Sequence, residues 1–351
     1  MPGYTTQDIR NIILIGHAGA GKTTLAEAIL HKSGITTRLG SVDDKTSILD
    51  CDTEEKERGH SVDSGLAHIN RKGKEINIID TPGYPDFLGS AVPCLAAAET
   101  AVLVVSASAG IQTNTRKMFQ TAKERGMACM IVINKIDGGT EELNNLVGTL
   151  QESFGMECRC FNLPNAGGSA VVDCLAHDSG DAIADVAEAH TNLIETIVEA
   201  DEVLMEAYLG GEAIPADKLA DTLAKGMVSQ SVIPILFTSA RHEVGVEAFM
   251  DFLATYCPNP LQGLKPTVIK GEGDAQTRTE IAADANAGLI GLVFRSSADP
   301  KSHIKASSIR VFTGKIKSDS TLQATGGKKG MRSGHVNKIQ GDKLEPIDEA
   351  I

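Results

Sequence analysis

Short apolar runs alternate with longer amphipathic segments over about the first 255 residues of the chain. The apolar runs have the length of buried strands, and the segments between them repeat their apolar positions with the period of a helix. Strands joined by helical crossovers predict a mostly parallel sheet with helices on both faces. The strand and helix pairs are NIILIG with TTLAEAILHK, AVLVVSAS with TRKMFQTAKERG, MACMIVIN with EELNNLVGTLQESFG, and SVIPILFTSA with GVEAFMDFLATY.

One antiparallel exception is predicted in the first quarter of the chain. The runs SVDSGLAHI and KEINIID flank RKGK, whose glycine suits a hairpin turn. The second run leads into DTPGYPDF and then into the helix-like stretch LGSAVPCLAAAE.

The pattern changes after Cys257, where PNPLQGLKP forms a connector rich in proline and glycine. From about Leu289 the runs LIGLVF, SIRVFTG and STLQA are typical of strands, and no helical period returns. We therefore expect an α/β domain over residues 1–262, a linker over 263–285, and an all-β, barrel-like domain over 286–351.

Composition narrows the classes of partner. The net charge of −13 argues against a general binder of nucleic acid or anionic membranes, because those partners reward positive charge. The seven cysteines include no C-x-x-C pair, which favours reduced thiols over a disulfide framework. No apolar run approaches the length of a membrane span. We expect a cytoplasmic monomer with no membrane partner.

The segment GHAGAGKT fits the phosphate-binding pattern G-x-x-x-x-G-K-[ST] and lies between a predicted strand and a predicted helix. Its glycines let the backbone wrap a phosphate with the N–H groups pointing inward, while Lys22 neutralises phosphate charge and Thr23 ligates Mg²⁺. The residues expected to contact the nucleotide here are His17, Ala18, Gly19, Ala20, Gly21, Lys22, Thr23 and Thr24.

A second partner for Mg²⁺ is expected at the end of a neighbouring strand, and Asp80 fills that place. Thr81 and Pro82 then turn the chain, and Gly83 can offer its N–H to a γ-phosphate because no side chain blocks the approach. Taken alone, D-T-P-G could be an ordinary turn. Combined with the phosphate-binding loop, it predicts a sensor of the nucleotide state.

The sequence N-K-x-D, at Asn134, Lys135 and Asp137, predicts that the base is guanine. A carboxylate can accept hydrogen bonds from both N1–H and the 2-amino group of guanine, whereas adenine offers neither donor there. Two charge-assisted bonds give discrimination on the order of 10² to 10⁴. The tripeptide TSA, which includes Ser239 and Ala240, can place a backbone N–H on guanine O6. A P-loop ATPase or kinase is disfavoured by Asp137.

With these motifs assembled, the chain resembles the translational GTPases, and most closely the N-terminal part of elongation factor G and the elongation factor G-like proteins. The resemblance is carried by GHAGAGKTTL, EEKERGHSV, DTPGYPDF, NKID, TSA and LIETIVEADEVLMEAYLGGE. It implies a short inserted subdomain at about residues 158–230 and the start of a second-domain barrel. Family members continue through further domains that reach into the ribosome, so we expect the present chain to be a fragment of a longer protein.

Three departures from the family bear on mechanism. Tyr84 stands where the family typically carries a histidine that orients the attacking water, and a phenol cannot adopt the charged state of histidine at neutral pH. Gly19 replaces the aspartate usual in the family's phosphate loop, which puts a monovalent-cation site in doubt. Ser61 replaces the threonine that closes over Mg²⁺, so closure is expected to be looser.

The resemblance implies a ribosome-associated GTPase that uses GTP, GDP and Mg²⁺. The expected catalytic residues are Tyr84, Lys22 and Gly83, and the expected metal ligands are Thr23, Ser61 and Asp80. The alternative is a GTP-dependent binding or regulatory module with very slow or no hydrolysis. Tyr84 carries that choice, since it can either hold a water or pack into the following helix.

The acidic run DCDTEEKERG, residues 50–59, can be interpreted as a metal site or as a solvated switch loop, and we favour the loop. His60 and His242 are expected at the surface. Ribosome-protecting resistance factors and the class II release factor share the nucleotide motifs, but the segment VEADEVLMEAYLGGE favours elongation factor G.

Overall fold

The computed structural model describes residues 3–212, 214–263, 265–271, 276–298, 305–327 and 329–351. Parts of the predicted linker and β domain, namely residues 264, 272–275, 299–304 and 328, lie outside the described residues. The helices are α1 (Lys22–Lys32), α2 (Thr53–Arg58), α3 (Leu88–Cys94), α4 (Thr113–Glu124), α5 (Leu143–Phe154), α6 (Val186–Val198), α7 (Glu202–Leu209), α8 (Ala216–Ser229) and α9 (Val246–Tyr256).

The strands fall into two groups, which we call the α/β part (residues 3–263) and the β part (residues 265–351). The α/β part holds β1 (Ile9–Ile15), β2 (Gly65–Arg71), β3 (Lys74–Asp80), β4 (Thr100–Ser106), β5 (Ala128–Asn134), β6 (Cys158–Cys160), β7 (Asn162–Pro164), β8 (Val171–Asp173) and β9 (Ile233–Thr238). The β part holds β10 (Thr267–Lys270), β11 (Thr277–Glu280), β12 (Ile290–Ala298), β13 (Lys305–Thr313), β14 (Ile316–Lys317), β15 (Thr321–Leu322), β16 (Met331–Arg332), β17 (Asn337–Gln340), β18 (Lys343–Pro346) and β19 (Glu349–Ala350).

The central sheet has the strand order β2-β3-β1-β4-β5-β9-β6, and every pairing except β2 with β3 is parallel. Four inner strands, β1, β4, β5 and β9, are buried along their whole length, which explains their continuous apolar sequences. The predicted α/β fold is confirmed. Its consequence is that the carboxyl ends of β1, β3, β5 and β9 share one edge of the sheet.

The predicted hairpin is also confirmed. β2 and β3 pair antiparallel from Gly65 opposite Asp80 to Arg71 opposite Lys74. The two turn residues, Lys72 and Gly73, have φ of 51° and 74°, as a tight two-residue hairpin turn requires.

Part of the segment predicted as an inserted subdomain, residues 158–230, packs on the central sheet or extends it. β6 adds the edge strand of the central sheet beside β9, and α8 packs on β5, β9 and α9. The hairpin β7–β8 and the helices α6 and α7 complete the segment.

The β part is rich in antiparallel strands, which confirms the all-β character predicted for residues 286–351. Within the described ranges its ladders join strands two by two: β10 with β11, β12 with β13, β14 with β19, β15 with β16, and β17 with β18. It lies against the α/β part, where the N–H of Gly341 donates to the Leu66 carbonyl at 2.8 Å. Arg310 Nη2 also donates to Glu99 Oε1 at 2.6 Å.

All seven cysteines are free, and five of them are buried. None of the helices in the described part of the chain combines the length and apolar character that crossing a membrane requires.

Candidate nucleotide-binding site

The loop between β1 and α1 is a cradle closed by glycines. A Cβ at Gly16, whose φ is 139°, would lie 2.4 Å from the Val104 carbonyl oxygen on β4. A Cβ at Gly21, whose φ is 92°, would lie 2.4 Å from Asn134 Nδ2. Gly19 has a φ of 76° and faces open space, so its glycine is required by the backbone and not by crowding. The rest of the predicted loop, His17, Ala18, Ala20 and Thr24, lies on the same turn and the first turn of α1.

Lys22 begins α1 and folds back over this loop. Its ammonium donates to the Gly16 carbonyl at 3.2 Å and to the His17 carbonyl at 3.0 Å. The side chain is buried, and burial lowers the pKa of Lys22 although Asp80 and Asp50 attract its charge. The loop therefore holds a desolvated cation at its mouth, which fits an anionic phosphate ligand.

The three predicted metal ligands lie together. Thr23 Oγ1 donates to Asp80 Oδ2 at 2.6 Å and is 3.1 Å from Ser61 Oγ. The other Asp80 oxygen, Oδ1, is buried without a hydrogen-bond partner, and burial raises the pKa of Asp80. Two hydroxyls and a carboxylate are hard oxygen donors, so these residues fit Mg²⁺, which would neutralise the carboxylate and bridge phosphate oxygens when bound.

Asp50 is a neighbour of this cluster that the sequence interpretation missed. It is 4% exposed, bonds the Ser61 side chain, and has a buried Oδ2 without a partner. Burial raises the pKa of Asp50 to about 6. The expectation of a solvated loop over residues 50–59 is thus wrong at Asp50 and at Glu55, which is also buried, although α2 is otherwise largely exposed. No group of three or more His, Cys, Asp or Glu among the described residues is arranged to hold a metal.

The turn after β3 touches the phosphate loop directly. Thr81 Oγ1 donates to the Leu14 carbonyl at 2.6 Å, which fixes the turn to β1. A Cβ at Gly83 would lie 2.5 Å from both the Ala18 nitrogen and Lys22 Nζ, so only glycine fits this approach. Asn114 Nδ2 donates to the Gly83 carbonyl at 2.8 Å, which fixes this peptide group from the other side.

Tyr84 is 42% exposed and does not pack into the following helix. Its ring lies against His60, with ring centroids 4.5 Å apart at a tilt of 50°. His60 is only partly exposed, because its ring lies near both Tyr84 and Phe87. His242 is exposed as expected.

Asn134 connects the base loop to the phosphate loop. Its Nδ2 donates to the carbonyls of Ala20 and Gly21 at 3.2 and 3.4 Å. Its Oδ1 accepts from Thr238 Oγ1 at 3.2 Å and from the Ala240 N–H at 3.0 Å. That last bond was not foreseen, and it means that the Ala240 N–H is shared between Asn134 and any carbonyl of a bound base.

The remaining base-loop residues surround an exposed carboxylate. Ser239 Oγ donates to Asp137 Oδ1, and His242 Nε2 is 3.6 Å from Asp137 Oδ2. Lys135 has a φ of 69°, which places the exposed side chain beside Gly21. The serine thus orients the carboxylate, and the lysine stem can lie along a ring.

A glycine cradle, an oxygen-donor cluster and an N-K-x-D loop on one edge of a doubly wound sheet define a P-loop GTPase-like protein. Residues 7–259 of the chain match the model of one protein family, the elongation factor Tu GTP binding domain. The chain belongs to this family of GTP-binding domains.

Relatives of known sequence and structure agree with this assignment. The elongation factor G-like proteins of two Mycobacterium tuberculosis strains, CDC 1551 / Oshkosh and ATCC 25618 / H37Rv, are each 32% identical over 332 residues, covering 91% of this chain and 46% of the relative. A crystal structure of a Thermus thermophilus protein matches 98% of this chain and 51% of its own at 27% identity, with a TM-score of 0.82. The chain spans about half the length of these relatives.

Proposed function

We propose that the chain is the nucleotide-dependent part of a translation factor that binds GTP with Mg²⁺, hydrolyses it, and changes conformation on the ribosome in the cytoplasm. The observation that carries the nucleotide assignment is the bridge made by Asn134. It joins the loop that suits phosphates to the loop whose carboxylate suits guanine, at hydrogen-bond distances on both sides.

We assign each part of the nucleotide to the residues that lie nearest to its proposed position. Lys22 and the inward N–H groups of its loop would bind phosphate oxygens, while Thr23, Ser61 and Asp80 would hold Mg²⁺. Asp137, oriented by Ser239, would accept the two hydrogens of the guanine edge. The proposed domain division is a GTP-binding domain over residues 1–262 joined by a linker to a β domain over 286–351.

A ribosomal partner is supported by the family and by the charge distribution. In residues 263–351 lysine and arginine outnumber aspartate and glutamate, whereas the whole chain has a net charge of −13. A positively charged C-terminal segment is the part of the chain suited to an RNA surface. Hydrolysis that rises when ribosomes are added to the chain would support the role in translation, and an unchanged rate would speak against it.

The alternative function is a GTP-dependent binding module with little hydrolysis. The exposed phenol of Tyr84, which stands beside the sensing glycine, favours it. Single-turnover hydrolysis of radiolabelled GTP separates the two functions, since the alternative predicts tight binding without phosphate release. An increase in rate from Tyr84→His would support the alternative.

Guanine recognition is tested by Asp137→Asn. Xanthine carries a carbonyl where guanine carries the 2-amino group, so an amide at position 137 can donate to it. We expect the affinity for fluorescent GDP to fall by about 10² or more and the affinity for xanthosine diphosphate to rise. Asp217→Asn, an exposed acid on α8, is the matched control. Equal binding of ADP and GDP by the wild type would contradict guanine specificity.

A further inference from the structure

His60 and Tyr84 bring two loops together beside the proposed γ-phosphate position. His60 precedes Ser61, whose hydroxyl is 3.1 Å from Thr23 Oγ1 in the metal cluster. Tyr84 follows Gly83, whose backbone packs on Ala18 and Lys22. The two rings, whose centroids are 4.5 Å apart, therefore belong to the chain neighbours of the two residues that would sense the γ-phosphate, Ser61 and Gly83.

The hydrogen bonding of His60 determines which ring nitrogen can accept a proton. His60 Nδ1 is 3.2 Å from the carbonyl oxygen of Ser61. A carbonyl can only accept, so Nδ1 must carry the hydrogen, and the neutral ring then presents Nε2 as an acceptor. The His60 ring lies near both Tyr84 and Phe87, at centroid distances of 4.5 and 5.8 Å, and these neighbours restrict its orientation.

The two rings differ in what they can offer to water. A phenol oxygen is a weak acceptor because its lone pairs are partly delocalised into the ring, whereas a neutral imidazole has a localised lone pair on one ring nitrogen. A water that attacks a phosphate must point its own oxygen lone pair at phosphorus and donate its hydrogens elsewhere. Both side chains can accept such a hydrogen, but the imidazole nitrogen of His60 is the more basic acceptor of the two.

We infer that His60 is the catalytic residue that orients the attacking water. Tyr84 is a positioning residue, because its ring packs on the imidazole. The inference rests on the proposed GTP hydrolysis. In the step, water donates a hydrogen bond to His60 Nε2 and its oxygen forms a bond to the γ-phosphorus. The bond from that phosphorus to the β–γ bridging oxygen breaks, GDP leaves, and the proton of the water ends on the released phosphate.

The test is single-turnover GTP hydrolysis with the whole chain in excess over GTP. His60→Phe keeps a ring against Tyr84 but removes the acceptor, so we expect the rate to fall by about 10²-fold. The affinity for fluorescent GDP should change by less than about threefold, because His60 does not touch the phosphate loop or the base loop. His177→Phe, the same substitution at an exposed histidine between β8 and α6, should retain the rate within about threefold and is the matched control.

A second readout does not depend on turnover. Aluminium fluoride should tighten GDP binding to the wild type and to His177→Phe, because it imitates the transferring phosphoryl group, and this tightening should be lost in His60→Phe. The double variant His60→Phe with Tyr84→His should recover part of the rate, since it supplies an imidazole from the facing loop. His60→Leu, a second variant without a polar atom, should behave like His60→Phe.

Three results would overturn the role of His60. One is hydrolysis by His60→Phe within about threefold of the wild type, and another is a parallel loss of rate and GDP affinity in both His60 variants, which indicates a structural role. The third is a wild type that binds GTP and releases no phosphate, which refutes the proposed hydrolysis itself. In the first two results the wild type still hydrolyses GTP, so a failure of the His60 inference can be distinguished from a failure of the proposed function.

Discussion

Asn134 uses both polar atoms of its side chain to hold two loops together, and it is 1% exposed. Its amide donates to the carbonyls of Ala20 and Gly21, and its carbonyl accepts from Thr238 and Ala240. A residue in this position acts on stability and on binding together, because the loops it joins are the two that would hold opposite ends of the nucleotide.

Asn134→Ala should lower the free energy of unfolding by about 3 kcal/mol, because it leaves a buried N–H and a buried carbonyl unpaired. Urea denaturation without nucleotide measures this. Asn145→Ala is the control, since that exposed side chain bonds only Glu142, and its effect should stay within about 0.5 kcal/mol. Equal effects of the two substitutions would contradict the bridging role.

Asp50 is expected to make the stability of the nucleotide-free protein depend on pH. Burial raises the pKa of Asp50 from 3.8 to about 6, so the folded state binds the proton more tightly than the unfolded state. The contribution of Asp50 is then most favourable below pH 3.8 and is lost as the pH rises through about 6. Above that pH the charged form costs about 3 kcal/mol.

Asp50→Asn should therefore stabilise the protein in EDTA, and the gain should grow by about 2 kcal/mol between about pH 4.5 and about pH 7. Denaturation series at the two pH values measure it. Asp217→Asn should show no such growth. A gain that does not change with pH would indicate that Asp50 does not titrate in this range.

The sequence was informative for those site residues whose roles follow from a local backbone pattern. Lys22, Thr23 and Gly83 belong to segments whose spacing specifies a turn and a strand end, and the turn places the side chain. Asp50 and His60 lie in a loop without such a pattern, so their burial depends on what the opposite loop presents. No spacing in the sequence could predict the contact of His60 with Tyr84.

At the scale of elements, α1 holds the loop that follows it. Glu27 on α1 is fully buried, and its Oε1 accepts from Ser47 Oγ at 2.7 Å, from the Ile48 N–H at 2.8 Å and from the Leu49 N–H at 3.3 Å. Gly40 packs against the same carboxylate, where a Cβ would lie 2.1 Å from Oε2. One side chain thus anchors the first half of the loop that carries Asp50 and Ser61.

Glu27→Ala should release this loop, because two buried N–H groups lose their acceptor. Opening would become easier by at least about 1.4 kcal/mol, which corresponds to a roughly tenfold higher initial rate of trypsin cleavage in residues 45–58. Peptide mapping of the early fragments measures it. Glu188→Gln on the exposed face of α6 is the control. Cleavage that begins elsewhere in the chain would count against the anchoring role.

The elements themselves were predictable to different degrees. The strand and helix pairs from β1 to α9 follow from periodicity because each strand is buried on both faces and each helix has one apolar face. β6 and the two-residue strands β14, β15, β16 and β19 are too short to show a period, so their pairing is decided by tertiary contacts. The place of β6 at the edge of the central sheet belongs to that group.

At the scale of the whole molecule, the β part is joined to the α/β part by a buried ion pair. Arg310 on β13 bonds Glu99 at 2.6 Å, and the two side chains are 11% and 10% exposed. Glu99 Oε2 also accepts from Asn11 Nδ2 at 2.7 Å. Burial raises the pKa of Glu99, which Arg310 opposes by its positive charge.

Arg310→Ala should destabilise the protein by about 3–5 kcal/mol, because it leaves the Glu99 carboxylate buried without its cation. The double variant with Glu99→Gln should recover part of the loss, since the remaining group is neutral. Arg332→Ala is the control, as its pair with Asp319 is exposed and should contribute less than about 1 kcal/mol. Equal losses from the two arginine substitutions, measured by denaturation, would argue against the buried pair.

The turn between β17 and β18 also reaches the loop that carries Ser61. A Cβ at Gly341 would lie 2.2 Å from the Ile48 carbonyl oxygen, and Arg295 on β12 bonds Asp63 at 2.8 Å, two residues beyond Ser61. The segment between Ile48 and Asp63 therefore contacts the β part at both of its ends. A displacement of Ser61 would therefore also disturb the contacts of Ile48 with Gly341 and of Asp63 with Arg295, so that a change at the proposed metal site would be transmitted to the β part.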